Sequence, residues 1–138
     1  MKTAGAGKTL INPPGTEKIY KRMQFSQAVR VGEMIWVSGQ VGIDGEGNTA
    51  EGIEAQARGA FNNLGRVLAE AGASFADVVE LVTYHTSMKE IGEFAKVKAE
   101  FVSEDFPAWT AVGVTELVMP KLLCEIRAVA VTGCGQGV

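Results

Sequence analysis

The sequence predicts a single-domain α/β fold, in which one mixed six-stranded sheet carries two helices on one face. Short β-prone runs alternate with two helical patterns in the order β-β-β-α-β-α-β-β. The chain of 138 residues, 46% hydrophobic and 21% charged, has the size and composition of one globular domain. We expect residues 1–22 to form an N-terminal extension and first turn, 23–132 the domain, and 133–138 a flexible tail.

A β-hairpin is predicted near the start of the domain. Before it, Pro13-Pro14-Gly15 marks a turn rather than a helix or strand. Residues 28–31 and 34–41 are β-prone runs that flank a tight turn at Gly32-Glu33. A turn-rich stretch follows, and a short, weakly signalled third strand is expected near Asn48.

Two helices and a buried strand are predicted in the middle of the chain. Residues 51–71 place apolar side chains three or four positions apart, and the glycine that follows supplies a stop. Residues 78–86 are β-branched and continuous enough for a largely buried strand. Ser87 and Glu90 then form a capping-box pattern, which opens a helix that ends before Pro107. The apolar side of this helix comprises Ile91, Phe94, Val97 and Phe101.

The last two strands are predicted over residues 109–115 and 123–131, and the final one has a clear alternation. One set of its side chains is small and apolar and suits packing under helices. The other set mixes apolar and charged residues and faces a side of the sheet that no helix is left to cover. Oligomerisation is the expected way to bury that side. The first set is Cys124, Ile126, Ala128 and Ala130, and the second is Leu123, Glu125, Arg127 and Val129.

Composition disfavours several classes of function. The formal net charge is −3 and the basic residues are scattered, so no nucleic-acid partner is expected. Cys124 and Cys134 form no disulfide framework, and His85 is the only histidine, so we expect no metal and no cofactor. The sequence contains no apolar run long enough to span a bilayer and no secretory signal, so we expect no membrane partner and a cytoplasmic location.

Short motifs spread over about a hundred residues resemble one protein family. They are residues 25–32 (FSQAVRVG), 37–40 (VSGQ), 63–64 (NL), 71–72 (AG), 77–79 (DVV) and 124–130 (CEIRAVA). In this order they resemble the YjgF/RidA (Rid) family, and residues 84–86 and 109–115 resemble its arginine-lacking YjgH-like branch. The resemblance implies a chorismate-mutase-like α+β fold, a homotrimer, and small-molecule sites between subunits.

The resemblance also implies a chemistry. RidA-type members hydrolyse reactive enamine or imine intermediates to ammonia and a 2-oxo acid. In them an arginine after a Pro-Ala pair grips the substrate carboxylate bidentately, and a glutamate on the last strand orients water. Carried over to this sequence, the glutamate is Glu125, the candidate catalytic residue. The matching candidates for substrate binding are Phe25, Ser38, Gly39, Trp109, Thr110 and Ala111.

The chain departs from the family pattern where the carboxylate would bind. The Pro-Ala-Arg motif reads Pro107-Ala108-Trp109, and Phe25 replaces a tyrosine. Residues 94–98 lack the family's asparagine and tyrosine, and one residue is inserted near Val118. An indole cannot neutralise a carboxylate, so carboxylate affinity should fall by about 30- to 1000-fold. We expect a drier, more aromatic cleft, with weak or no activity on 2-iminobutanoate and 2-iminopropanoate.

Each candidate residue also has a structural interpretation. Glu125 either orients water or pairs with Arg127 or a neighbouring subunit, and Arg127 is itself a candidate for the missing cation. Trp109 forms an aromatic wall for a ligand or fills the subunit interface. His85 is a candidate for catalysis or a hydrogen-bonded structural residue. Lys98 is expected to be a solvated helix residue.

Three functions are compatible with these residues. The first is a trimer that binds a small, largely uncharged or aromatic metabolite between subunits and hydrolyses a C=N bond, with Glu125 orienting water. The second is a non-catalytic trimer that binds a metabolite or another partner. The third is an endoribonuclease, a label that some Rid relatives carry, but a single histidine and a net charge of −3 disfavour it.

Overall fold

The computed structural model describes residues 2–4 and 7–136, which form one mixed seven-stranded sheet and three α-helices. The tail residues 137–138 lie outside the described part of the chain. The helices are α1 (Glu17–Met23), α2 (Ile53–Glu70) and α3 (Ile91–Phe101). The strands are β1 (Lys2–Ala4), β2 (Lys8–Ile11), β3 (Ala28–Val31), β4 (Met34–Gln40), β5 (Val78–His85), β6 (Ala108–Gly113) and β7 (Cys124–Val131).

The strand order β1-β2-β3-β4-β7-β5-β6 determines where the candidate residues lie. β5 and β6 run parallel, and the other described neighbours pair antiparallel. The last strand in sequence, β7, therefore lies between β4 and β5, while β6 forms an edge. The predicted α/β class with a single mixed sheet is confirmed, and so is the hairpin of β3 and β4.

The hydrophobic core lies between the sheet and helices α2 and α3. Phe61 of α2 is fully buried, and its ring centroid lies 5.1 Å from that of Phe101 and 5.7 Å from that of Phe94 on α3. Clusters of aromatic rings at these separations pack favourably beyond their buried area. In the part of the chain that the structure covers, no helix is long and apolar enough to cross a membrane. The predicted inward set on β7 is buried in this core: Cys124, Ile126, Ala128 and Ala130.

The N-terminal region corrects the expectation of an extension before residue 23. Strand β2 pairs with β3, and Ile11 is fully buried in the core, so the domain already includes residues 8–11. A four-residue strand is stabilised by pairing with its neighbour rather than by a pattern of its own, which is why the sequence did not reveal it. Helix α1 buries none of its residues, so it lacks the apolar periodicity that would predict it.

The third strand expected near Asn48 is also corrected. In its place the structure has an isolated bridge between Ile43 and Thr49. The Asp44 carboxylate accepts hydrogen bonds from the backbone N–H groups of Glu46 and Asn48, each at 2.9 Å. A side chain that binds these donors offers the backbone an alternative to a strand ladder. Six strands have four or more residues, but the sixth is β2 rather than a strand at Asn48.

The capping box predicted at Ser87 lies elsewhere. Ser87 makes no side-chain capping hydrogen bond, and a 3-10 turn over residues 88–90 precedes helix α3. Both reciprocal bonds of a capping box are present instead at Ser74 and Asp77, where a single 3-10 turn leads into β5. The two sites have the same residue spacing, so tertiary contacts rather than local sequence decide which one forms.

Candidate functional site

Strand β4 carries a β-bulge where it pairs with the central strand β7. The register between the strands shifts by one residue, so Ser38 and Gly39 together lie opposite Arg127. The Ser38 hydroxyl donates a hydrogen bond of 2.7 Å to the carbonyl oxygen of Ser26. This bond joins the bulge to the loop that carries Phe25, whose side chain is partly exposed. The bulge therefore positions three of the predicted site residues together.

The Glu125 carboxylate occupies the space beside Gly39. A Cβ atom added at Gly39 would lie 2.6 Å from the carboxyl carbon of Glu125, which is closer than side chains approach each other. Glu125 is half-buried on the face of the sheet that no helix covers, next to Tyr84 of β5. The residues that the structure describes provide no hydrogen bond or ion pair to this carboxylate, and Arg127 does not bind it.

The environment of Glu125 favours its protonated form. Loss of water around the half-buried carboxyl raises the pKa of Glu125 above its ordinary value. A carboxylate with a raised pKa and no protein partner is a stronger base than a solvated one and is free to bind water or a ligand. Among the predicted site residues, Glu125 is therefore the one suited to accept a proton.

Trp109 lies on the opposite face of the sheet, against helix α3. It pairs with Leu81 of β5, which is fully buried under the helices. The indole Nε1–H donates a 2.9 Å hydrogen bond to Thr83 Oγ1, and the ring lies 6.3 Å from that of Phe94. Its side chain is 37% exposed because β6 is an edge strand. Within one copy of the chain, Trp109 and Glu125 therefore do not share a cleft.

His85 lies beneath this tryptophan, in the core. It is 1% exposed, its Nε2 atom lies 2.7 Å from Thr83 Oγ1, and its ring meets that of Phe94 edge-on at 4.7 Å. Thr83 accepts the indole N–H, so its own hydroxyl proton is free to bond to His85 Nε2. His85 Nδ1 is buried without a partner among the described residues, and burial lowers the pKa of His85. The structure thus places His85 apart from Glu125.

Lys98, expected to be a solvated helix residue, is half-buried, although its ammonium remains accessible. Its ammonium lies 4.5 Å from the centroid of the Trp109 ring and 5.9 Å from that of Phe106. Lys98 follows Phe94 by one turn of α3, so both side chains reach the same indole. Attraction between an ammonium and an aromatic face stabilises this position. The sequence could not reveal the contact, because it depends on how β6 lies across α3.

The predicted site residues divide into two sets on opposite faces of the sheet. The set on the helix-free face comprises Ser38, Gly39, Thr110, Glu125 and Arg127, and the set on the helix side comprises His85, Trp109 and Ala111. A cleft of about 660 Å³ between residues 102–108 and residues 134–135 is lined by neither Glu125 nor Trp109. A site that used both sets would need two copies of the chain.

Comparisons with known proteins agree with the fold and the motifs. The sequence profile of the endoribonuclease L-PSP family matches residues 15–132. The RutC family protein YjgH of Escherichia coli (strain K12) is 38% identical over 112 residues, which cover 80% of this chain and 86% of that protein. A human protein named 2-iminobutanoate/2-iminopropanoate deaminase is 31% identical over 111 residues, covering 79% of this chain and 80% of that protein. A solved structure named protein YJGH superposes with a TM-score of 0.83 at 34% identity, covering 92% of this chain and 98% of that one.

Proposed function

The chain belongs to the endoribonuclease L-PSP family, also known as the YjgF/RidA family, and from this membership we propose that it is a homotrimer whose sites between subunits hydrolyse the C=N bonds of small molecules. Glu125 carries the proposal, because it is a half-buried carboxylate with no protein partner among the described residues. Relatives named 2-iminobutanoate/2-iminopropanoate deaminase support the reaction class. We propose imines with apolar or aromatic side chains as substrates, because Trp109 replaces the arginine of the family motif.

In the proposed reaction, water adds to the carbon of the C=N bond while Glu125 accepts a proton from that water. That proton passes to the nitrogen and gives a carbinolamine. The hydroxyl proton of the carbinolamine then moves to the nitrogen through Glu125, the C–N bond breaks, ammonia leaves and the C=O bond forms. The raised pKa of Glu125 supports this role, because a stronger base accepts the proton more readily. Positioning of water and imine together supplies the rest of the acceleration.

Assembly of several copies would complete the site. The helix-free face of the sheet leaves large apolar side chains partly exposed, among them Val31, Met34 and Trp36. The edge strand β6 is likewise free to pair with or pack against another chain. Burial of these surfaces between copies would place the Glu125 side of one subunit near the Trp109 side of the next. The division of the site residues over two faces supports this arrangement.

RNA hydrolysis, the activity in the family's name, is not part of the proposal. Binding of a polyanion depends on a cationic surface, whereas the net charge of this chain is −3. Its single histidine, His85, is 1% exposed and packs under α3, where it does not reach a large ligand. The alternative to the proposed hydrolysis is a trimer that binds a metabolite without turnover, and an assay for ammonia release distinguishes the two.

A direct test is ammonia release from imines generated in situ by an amino-acid oxidase. The protein should accelerate hydrolysis of the phenylalanine-derived imine about 10-fold more than that of the alanine-derived imine, since extra apolar contact in a pocket supplies this degree of discrimination. Rates are read as kcat/KM against the uncatalysed background. No acceleration of any imine would favour the non-catalytic alternative. A preference for the alanine-derived imine would contradict the proposed substrate class.

Gly39→Ala tests whether the position of the carboxylate matters. The added methyl group would collide with Glu125, so the side chain must move and kcat should fall by about 10-fold, as expected for a misplaced catalytic group. Gly45→Ala is the matched control, because a Cβ there meets no atom within 4 Å. Thermal melting of both variants shows whether the fold is retained. An unchanged kcat in a folded Gly39→Ala variant would mean that the carboxylate does not act from this position.

A further inference from the structure

We propose that Lys98 binds the carboxylate group of an apolar or aromatic ligand at the surface formed by Trp109 and Phe106. The inference rests on the proposed function and names the ligand class that the site accepts. The structure holds a lysine ammonium beside the indole that replaces the family's arginine. The positive charge is therefore still present near position 109, but on helix α3 and in a different geometry.

The Lys98 ammonium is held in place but not neutralised. It contacts the faces of two aromatic rings, those of Trp109 and Phe106. In the portion of the chain that the structure describes, it has no carboxylate within ion-pair distance. The Lys98 side chain is half-buried, but its nitrogen is not fully enclosed by the protein, so the ammonium is accessible from outside. Its three N–H donors are thus available to an acceptor on a ligand.

The indole beneath this ammonium is rigidly supported. Thr83 and His85 are 0% and 1% exposed, and the chain of hydrogen bonds from Trp109 through Thr83 to His85 fixes the ring orientation. Rotation of the indole would leave a buried hydroxyl without its donor, which is unfavourable. Lys98 is therefore positioned by a preorganised surface rather than by a mobile one, and such a surface costs little reorganisation when a ligand binds.

The surroundings of Lys98 define the ligand. A single ammonium balances one negative charge, so a monoanionic carboxylate fits better than a dianionic phosphate. The neighbouring side chains of Trp109 and Phe106 are 37% and 70% exposed and offer apolar surface to the rest of the molecule. A lysine acts as a point charge, without the bidentate fork of arginine, so apolar contact must supply more of the affinity.

The test compares two probes of nearly the same shape, one with a negative charge and one without. Phenylacetate and its neutral analogue phenylacetamide are titrated calorimetrically into the assembled protein near neutral pH and at low salt. The wild type should bind phenylacetate about 10-fold more tightly, which is the effect of one charge-assisted contact that is partly exposed to solvent. Lys98→Gln should abolish this preference, and Lys98→Arg should retain it. Lys96→Gln is the matched control, because Lys96 is exposed on the same helix.

Three results would overturn the inference: equal binding of both probes by the wild type, no binding of either, or an unchanged preference in Lys98→Gln. The experiment separates this inference from the proposed hydrolysis. If the protein releases no ammonia from imines but prefers phenylacetate through Lys98, the hydrolase proposal fails and the carboxylate site stands. If ammonia is released and Lys98→Gln leaves the probe preference intact, the hydrolase proposal stands and the assignment of Lys98 fails.

Discussion

Glu125→Gln is expected to lower the rate of imine hydrolysis by about 100-fold or more in a protein that stays folded, the range that loss of a general base produces. Glutamine has the same size as glutamate and keeps an oxygen beside Gly39, but it cannot accept a proton from water. Glu80→Gln is the matched control, because Glu80 is another half-buried carboxylate on the neighbouring strand β5. Steady-state ammonia release measures both. Equal kcat values for Glu125→Gln and the wild type would eliminate Glu125 as the base.

The pH dependence of stability provides a control for the same variant. Burial raises the pKa of Glu125 above its ordinary value of 4.5, so the folded protein holds this proton more tightly than the unfolded chain does. The ionised carboxylate therefore lowers the free energy of unfolding above its folded pKa, and this cost disappears as the pH falls below 4.5. Glu125→Gln should melt at or above the wild-type temperature near neutral pH, and the difference should shrink in acid. A less stable variant at neutral pH would reveal a partner for the carboxylate.

The parts of the fold that the sequence predicted are those in which buried residues recur at a regular spacing along the chain. In β7 the small residues Ala128 and Ala130 alternate with Arg127 and Val129, and the structure buries the first two in the core. Helix α2 is predicted equally well, because its buried apolar residues recur every three or four positions along its 18 residues. Strand β2 was missed because its partner β3, rather than its own four residues, provides its stability.

The candidate site was only partly predictable. The resemblance identified Gly39 and Glu125 from separate motifs, and the structure places them in direct contact through the β-bulge. The face on which Trp109 lies follows from its parallel pairing with β5, a register that no local pattern specifies. The contact with Lys98 depends on the packing of α3 against β6 and could not be read from either segment alone.

Trp109→Arg is expected to shift specificity toward small 2-imino acids. A guanidinium binds a carboxylate bidentately, so kcat/KM for the alanine-derived imine should rise by about 30-fold, the lower end of the range for one charge-assisted fork. The lower end applies because Lys98 already lies beside this position and supplies part of the attraction for the carboxylate. The rate for the phenylalanine-derived imine should fall, because the exposed indole surface is lost.

Trp109→Phe separates the added charge from the removed indole. Phenylalanine retains apolar contact with Phe94, but it has no N–H to donate to Thr83, so the supporting hydrogen-bond chain is broken without any gain in charge. This variant should show no increase with the alanine-derived imine. If it gained as much as Trp109→Arg, the size of the side chain rather than its charge would control specificity. In the Trp109→Arg background, Lys98→Gln should lower the rate for the alanine-derived imine, because it removes a second positive charge that attracts the substrate carboxylate.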